Sequence, residues 1–477
     1  MSSESLIRQL SGHVSATRFE DLKPAEVDRV RQCLFDHIGN MLAGRYSDKA
    51  RGLLDYAGRL PRQAEAAIFG FGQVTAETAA FCNAAFSRVV DLDDGHRRAM
   101  GHPGVVIVPT VLALGEKLRA STPAAIDAIA AAYDVYVEIG SVINPSSYTG
   151  KGFDTTGIAG TVAVAAAAAK LRGLDAAQTR AAMAIAALHG AGIIEYLSDG
   201  SSGKLLCPGW TTATGLRSVD MALCGFTGPD TVLEGTHGLF RCFADHYDAA
   251  RFGAELGRAR HVMSTYFKVH ACLRRLHPAI DAVLAARTQH ALDPESVRCI
   301  AVDAGPFVVK SDRRRPRTLI AAQGSLPFAL AVAVKFGEVS LATLQAALED
   351  EGMADLEDRI SVVASDAVVA RQAAEPSLWG AVDLRIETRA GATIETQVNV
   401  ARGEPEDPLS WSELRRKFAA QLAPTPVADR AQALSDTAAS FDTFATVDAF
   451  ARALAGKPSA PAEAGPIAEA GSATDPR

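Results

Sequence analysis

The sequence has no paired-cysteine motif, no basic run interleaved with aromatics and no long uninterrupted apolar stretch, and each absence removes a class of function. Its seven cysteines, at positions 33, 82, 207, 224, 242, 272 and 299, include no C-x-x-C. An odd number so spaced suits neither zinc ligation nor a disulfide frame, so buried spectator thiols are expected, Cys207 and Cys272 included. The net charge is −7, with 48 Lys and Arg against 55 Asp and Glu, and without a basic run interleaved with aromatics to neutralise a phosphate backbone nucleic acid is an unexpected partner. No segment has the roughly eighteen continuous apolar residues of a membrane span. Gly157 to Lys170 comes nearest, but it is short and built of small residues that suit close helix packing. The opening MSSESLIRQL lacks a basic region followed by an apolar stretch and a small-residue cleavage site, so a cytoplasmic location without membrane contact is expected.

What is present is ordinary globular composition, 48% hydrophobic and 22% charged over 477 residues. That length exceeds what one core usually supports and predicts two domains, or one large domain with an elaborate second layer. From Ala25 to about Asp245 the pattern is helical, with Ala, Leu and Val at three-to-four spacing between Gly, Pro, Asn and Ser clusters. Helices are predicted over Pro24–Ala43, Thr122–Ile143, Ile158–Leu171 and Asp175–His189, and a helix start is placed at Pro109. Composition changes after Ser264, where β-branched runs at Val297–Asp303, Ala381–Thr388 and Thr393–Val400 predict strands, the last two joined as a hairpin through Arg389 to Ala392. Helical segments at Pro278–Ala286, Pro327–Val334 and Leu341–Leu348 make this second region α+β. Helix returns at Trp411–Gln421 and Thr446–Ala455, and the Pro/Ala/Gly-rich tail from Gly456 is expected to be mobile. The fold class is therefore mainly α with a smaller α+β domain.

Five stretches carry residues a plain helical bundle does not need. Asp91 to Asp94 with His96 and His102 puts three carboxylates and two histidines within a dozen residues, a set that suits a metal, a proton shuttle or a solvated capped loop. Asn144 to Gly157 is a polar loop, containing Tyr148, Asp154 and Thr155, that feeds a small-residue helix whose first amides could hold an anion. Lys204 stands among glycines and apolar residues, either as an exposed loop lysine or as a carboxylate ligand. Between Lys268 and His277 lie Lys268, His270, Arg274, Arg275 and His277, at the inferred domain boundary where ligand clefts form. The charge run Asp312 to Arg317 reads as a solvated loop.

In order along the chain, these stretches resemble the MmgE/PrpD family, which includes 2-methylcitrate dehydratase, cis-aconitate decarboxylase and iminodisuccinate epimerase. The resemblance is carried by Asp91-Leu92-Asp93-Asp94 with His102-Pro103, by Gly152-Phe153 leading into Thr156-Gly157, and by Leu171-Arg172-Gly173-Leu174-Asp175. Further on it rests on Gly225 to Pro229 with Leu233-Glu234-Gly235, on Phe267-Lys268 with His277, and on Ser325-Leu326-Pro327-Phe328. It implies a large all-helical domain built from residues 1–263 and 405–455, a small α+β domain over 264–404, and an active site in the cleft between them. A homodimer with no metal or organic cofactor is implied as well.

The resemblance places Asp91, His102, Lys204 and Lys268 in the site, together with Tyr148, Asp154, Arg274 and His277; Thr155 and His270 join them as candidate substrate contacts. This chain departs from the family at two positions, with Asp154 where dehydratases and decarboxylases usually carry histidine, and Gly95 where a hydroxyl-bearing residue is common. The expected reaction is removal of a proton α to a carboxylate of a small polycarboxylic acid and elimination of water. His102 is the expected base, oriented by Asp91, while Lys204, Lys268 and Arg274 clamp carboxylates. Two-base epimerisation through Tyr148 is the alternative reaction. A non-catalytic carboxylate-binding protein is the alternative of another class.

Overall fold

The computed structural model describes residues 4–61, 63–253, 256–258, 260–375 and 378–456. The tail expected to be mobile lies, beyond Gly456, outside the described residues.

Apolar residues on all sides of several helices force them into the interior. Six helices form this core: α1 (Pro24–Gly44), α2 (Ala76–Val89), α3 (Gly104–Leu118), α4 (Thr122–Ile143), α5 (Thr155–Leu171) and α6 (Cys207–Leu223). The central one is α5, buried from Thr155 to Ala169 and packed against α3, α4 and α6. Its small residues permit the approach: a Cβ at Gly157 would lie 1.8 Å from the Ala191 carbonyl oxygen, so even alanine must move backbone. Start signals act as the sequence predicts, since Ser121 Oγ accepts the Ala124 amide at the head of α4, and Asp154 accepts the Thr156 amide at the head of α5. Pro109 does not start a helix. It lies inside α3, buried on all sides, where packing outweighs the lost amide.

Short strands were missed in the first half because two or three residues carry no readable alternation. They are the hairpin β1 (Ala66–Ile68) with β2 (Gly72–Val74), and β3 (Gly95–His96), which pairs antiparallel with β4 (Thr265–Tyr266). The latter pair ties the acidic loop to the start of the second region. There the sheet runs β6-β5-β7-β8, with β5 (Val297–Ala304) parallel to β6 (Ile360–Ala364) and antiparallel to β7 (Val382–Thr388), which turns at Gly391 into β8 (Thr393–Val398). Strand β6 and the helix Asp366–Ala374 have no counterpart in the sequence prediction. Helices α7 (His277–His290) and α8 (Leu326–Phe336) pack on this sheet and on each other.

After the sheet the chain returns to the helical core. Helix α9 (Trp411–Leu422) seats Trp411 and Phe418 on Phe35 of α1, at ring distances of 5.4 and 4.9 Å, and α10 (Val447–Ala455) packs on α3. Among the described residues no single helix is long and apolar enough to cross a membrane; only Leu326–Phe336 with Leu341–Leu348, bent by 101°, passes as a pair.

Candidate active site

Helix α2 ends at Val89, and Asp91 then adopts a left-handed φ of 50°, a conformation that aspartate tolerates better than most residues. This turn drives three carboxylates inward, and Asp91, Asp93 and Asp94 are all fully buried. Unpaired, each would cost several kcal/mol of lost hydration, so each is met by donors. Lys204, from the turn before α6, donates to Asp91 Oδ2 at 2.9 Å; Lys268, just after β4, donates to Asp91 Oδ1 at 2.9 Å and to Asp93 Oδ1 at 3.3 Å. Arg88 pairs with Asp93 Oδ2. Asp94 accepts from the Gly104 amide at 3.0 Å and from Tyr133 at 2.5 Å, with His37 Nε2 3.1 Å away.

Burial pushes the Asp91 carboxyl upward, but the Lys204 and Lys268 ammoniums outweigh it and hold the group down at about 2. Asp93 is likewise held well below the usual range, burial being overcome by Arg88 and His102. Lys204 is lowered by burial, whereas Lys268 is raised because two carboxylates overcome the same effect. His102 is the informative group. Its Nδ1 lies 2.6 Å from the Asp94 carbonyl oxygen and 3.4 Å from Asp93 Oδ2. A carbonyl only accepts, so Nδ1 carries the proton and Nε2 keeps its lone pair. Burial, with Arg88 and Lys268 behind it, pulls this imidazole down to about 4 despite Asp93, so it is neutral at pH 7.

His102 borders a cavity of about 630 Å³ between the helical core and the segment Leu273 to Phe307. Its wall is strongly cationic. Arg88, Lys204, Arg274 and Arg275 are buried there, and Arg97, Arg98 and Arg251 complete the set, against Asp154 as the one acidic side chain. Arg274 reaches Glu404 at 2.6 Å through Nη2, yet its Nε and Nη1 find no partner among the described residues. Arg275 donates to Ser311 at 2.7 Å and lies over Phe307, with Tyr148 beside it. Asp154 accepts from the Thr156 amide at 2.9 Å and from Tyr196 at 2.8 Å, with the Cys207 thiol at 3.5 Å. Among the described residues no group of three or more His, Cys, Asp and Glu is arranged to hold a metal ion.

Of the residues singled out from the sequence, His102, Tyr148, Asp154, Lys204 and Arg274 border this cavity, and Asp91 and Lys268 stand immediately behind its wall. Asp91 does not orient His102. Its carboxylate is taken by the two lysines, and the ring is held by the Asp94 carbonyl beside Asp93. Thr155 is turned inward, its hydroxyl accepting from Asn144, and is not on the wall. His270 pairs with Asp281 at 2.8 Å and faces a different groove, while His277 is fully buried with its ring 4.9 Å from that of His270. Packing of α7 turns both away from the cavity. Sequence reasoning missed Arg88 and Tyr196, single polar residues in otherwise unremarkable segments, and it gave no role to Tyr266 at the head of the basic cluster. It had Arg275 in view as part of the basic cluster but gave it no role.

Comparison with known proteins bears on both halves of the chain. Residues 8–251 match the model of the MmgE/PrpD N-terminal domain and residues 270–443 that of the MmgE/PrpD C-terminal domain. A cis-aconitate decarboxylase-like protein of Aspergillus oryzae is 23% identical over 89% of this chain and 92% of its own length. A cis-aconitate decarboxylase of Aspergillus terreus is 28% identical, with 45% of this chain and 46% of that protein aligned.

Proposed function

Because the chain belongs to the MmgE/PrpD family, we propose that it is a lyase that removes a proton α to a carboxylate of a small polycarboxylic acid and expels water. One observation carries this reading: the cavity sets seven Lys and Arg side chains against one acid. Such a wall attracts a polyanion and stabilises the extra charge that builds on a carboxylate when its α-proton leaves.

Each step falls to a residue already placed. The neutral His102 Nε2 takes the α-proton, and the electron pair left behind spreads onto the adjacent carboxylate. Arg274 and Lys204 hold that carboxylate through charge-assisted hydrogen bonds. The pair then closes the C=C bond as the hydroxyl departs, with Tyr148 supplying the proton that makes it water. Imidazolium at His102 is disfavoured in the free protein by Arg88 and Lys268; a bound polyanion offsets those cations and raises its basicity where proton transfer requires it. Asp154 repels a carboxylate, so its end of the cavity suits a hydroxyl or uncharged part of the substrate.

The names of the two fungal relatives favour a second reading, loss of CO2 from an unsaturated tricarboxylate, which needs the same cationic wall and a proton donor. Incubation with citrate, 2-methylcitrate, cis-aconitate and iminodisuccinate in deuterated water, followed by NMR and ultraviolet absorbance, separates them. Formation of an alkene with loss of water supports the first reading and release of CO2 the second. Deuterium exchange with inversion and no alkene means epimerisation and counts against both, as does the absence of any conversion.

A further inference from the structure

Tyr266 and Gly95 face each other across the β3–β4 pair, Gly95 following directly on the buried carboxylates. Glycine is not required at 95 by its backbone, which is not among those with positive φ. It is required by space. A Cβ there would lie 2.3 Å from the Tyr266 hydroxyl oxygen, 2.4 Å from Cζ and 2.9 Å from Cε2, so any side chain at 95 displaces the ring. Tyr266 is 5% exposed and borders the cationic cavity, and the Arg274 guanidinium lies 5.1 Å over its ring.

Arg274 is only partly satisfied within the chain. Its Nε and Nη1 are buried and have no hydrogen-bond partner among the described residues, and the Tyr266 phenol borders the same cavity beside them. Unsatisfied buried donors of this kind ask for an explanation. Glu404 pins Arg274 through Nη2 and fixes the plane of the guanidinium. Burial pushes the Tyr266 phenol well above its ordinary range despite Arg274, so it stays protonated and can donate. Two adjacent donors, one cationic and one neutral, match the two oxygens of one carboxylate.

We propose that Tyr266 and Arg274 form a two-point clamp for one substrate carboxylate, and that Gly95 is glycine to leave the Tyr266 hydroxyl room to reach it. The inference rests on the polycarboxylate reading given above. It assigns to Tyr266 a contact with the substrate, and to Gly95 a positioning role.

Calorimetry with tricarballylate, a tricarboxylate without a hydroxyl to eliminate, together with steady-state kinetics on whichever of the four acids above is converted, tests it on the full chain. Tyr266→Phe keeps the ring and its stack on Arg274 and removes one oxygen. Its Kd and KM should rise about ten- to hundredfold, as expected for loss of a hydrogen bond to a charged group, with an unchanged melting temperature. Gly95→Ala should weaken binding in the wild-type background and add less than about twofold to Tyr266→Phe, because neighbouring residues that act through one contact are not additive. If Gly95→Ala does not fold, Tyr266→Phe alone decides. Wild-type binding and turnover with both constants unchanged in Tyr266→Phe would overturn this inference and leave the lyase reading standing. A wild-type protein that neither binds tricarballylate nor converts any polycarboxylate would overturn both.

Discussion

Two clefts flank the segments around Leu92 and Lys268, and the larger is the less informative. The groove bordered by Leu92, Val269 and α9 encloses about 1060 Å³, against about 630 Å³ for the cavity beside His102. Yet its charges cancel. Arg402, Arg416 and Lys417 stand against Asp48, Glu338, Glu349 and Glu413, and Arg402 is spent on Glu413 at 2.6 Å and Lys417 on Asp36 at 2.5 Å. On the wall of the smaller cavity the cations outnumber the acids, and although Arg88 and Lys204 pair with Asp93 and Asp91 behind it, two buried nitrogens of Arg274 lack partners among the described residues. The segment after β4 runs between the two clefts: Tyr266 borders one, while Val269 and His270 border the other. Buried donors left without partners, more than volume, mark where a ligand is required to complete the electrostatics.

Substitutions that act on one cleft and spare the other test this contrast. The largest effect is expected at His102: His102→Gln should lower kcat by about a hundred- to ten-thousandfold, the usual worth of a general base, while His270→Gln on the groove side changes it less than about twofold. Equal losses in both would remove the distinction. Next comes stability. Asp91→Ala strands the buried Lys204 ammonium, leaves Lys268 with Asp93 alone, and should cost about 3–5 kcal/mol in urea unfolding, the range for breaking a buried pair, whereas Glu349→Ala, exposed in the groove, should stay within about 0.5 kcal/mol.

Affinity should change more modestly at the rim. Arg98 is exposed, borders the cavity and makes no ion pair among the described residues. Arg98→Gln should therefore weaken tricarballylate binding about two- to fivefold in dilute buffer and hardly at all at about 1 M salt, where screening removes its reach. Arg416→Ala should leave that constant unchanged at either salt.

The smallest effect is a titration. His102 should remain neutral at pH 6, protonate near pH 4 in histidine NMR of the ligand-free protein, and move upward when a polyanion is bound. The sign for stability follows from the same displacement. The unfolded ring, with an ordinary value of about 6.5, binds a proton that the folded ring refuses, so this group weakens the fold as pH falls from about 6.5 towards 4. A free-protein midpoint near 6.5 would remove the electrostatic account of the base.

By itself the sequence determined the helical core, because apolar periodicity and cap residues such as Ser121 and Asp154 are local signals whose partners lie within a turn. It also singled out Asp91 to Asp94, His102 and Lys204, because charge among glycines and apolar residues is conspicuous in one dimension. Tertiary structure alone decided what those charges do. Lys204 could have been an exposed loop lysine, and only the approach of the turn before α6 to the end of α2 gives it Asp91. His102 owes its neutrality to burial and to cations brought from Arg88 and Lys268, and Gly95 owes its smallness to Tyr266 from a strand far along the chain. Such effects depend on distances of 2–4 Å between segments remote in sequence, and no local pattern encodes them.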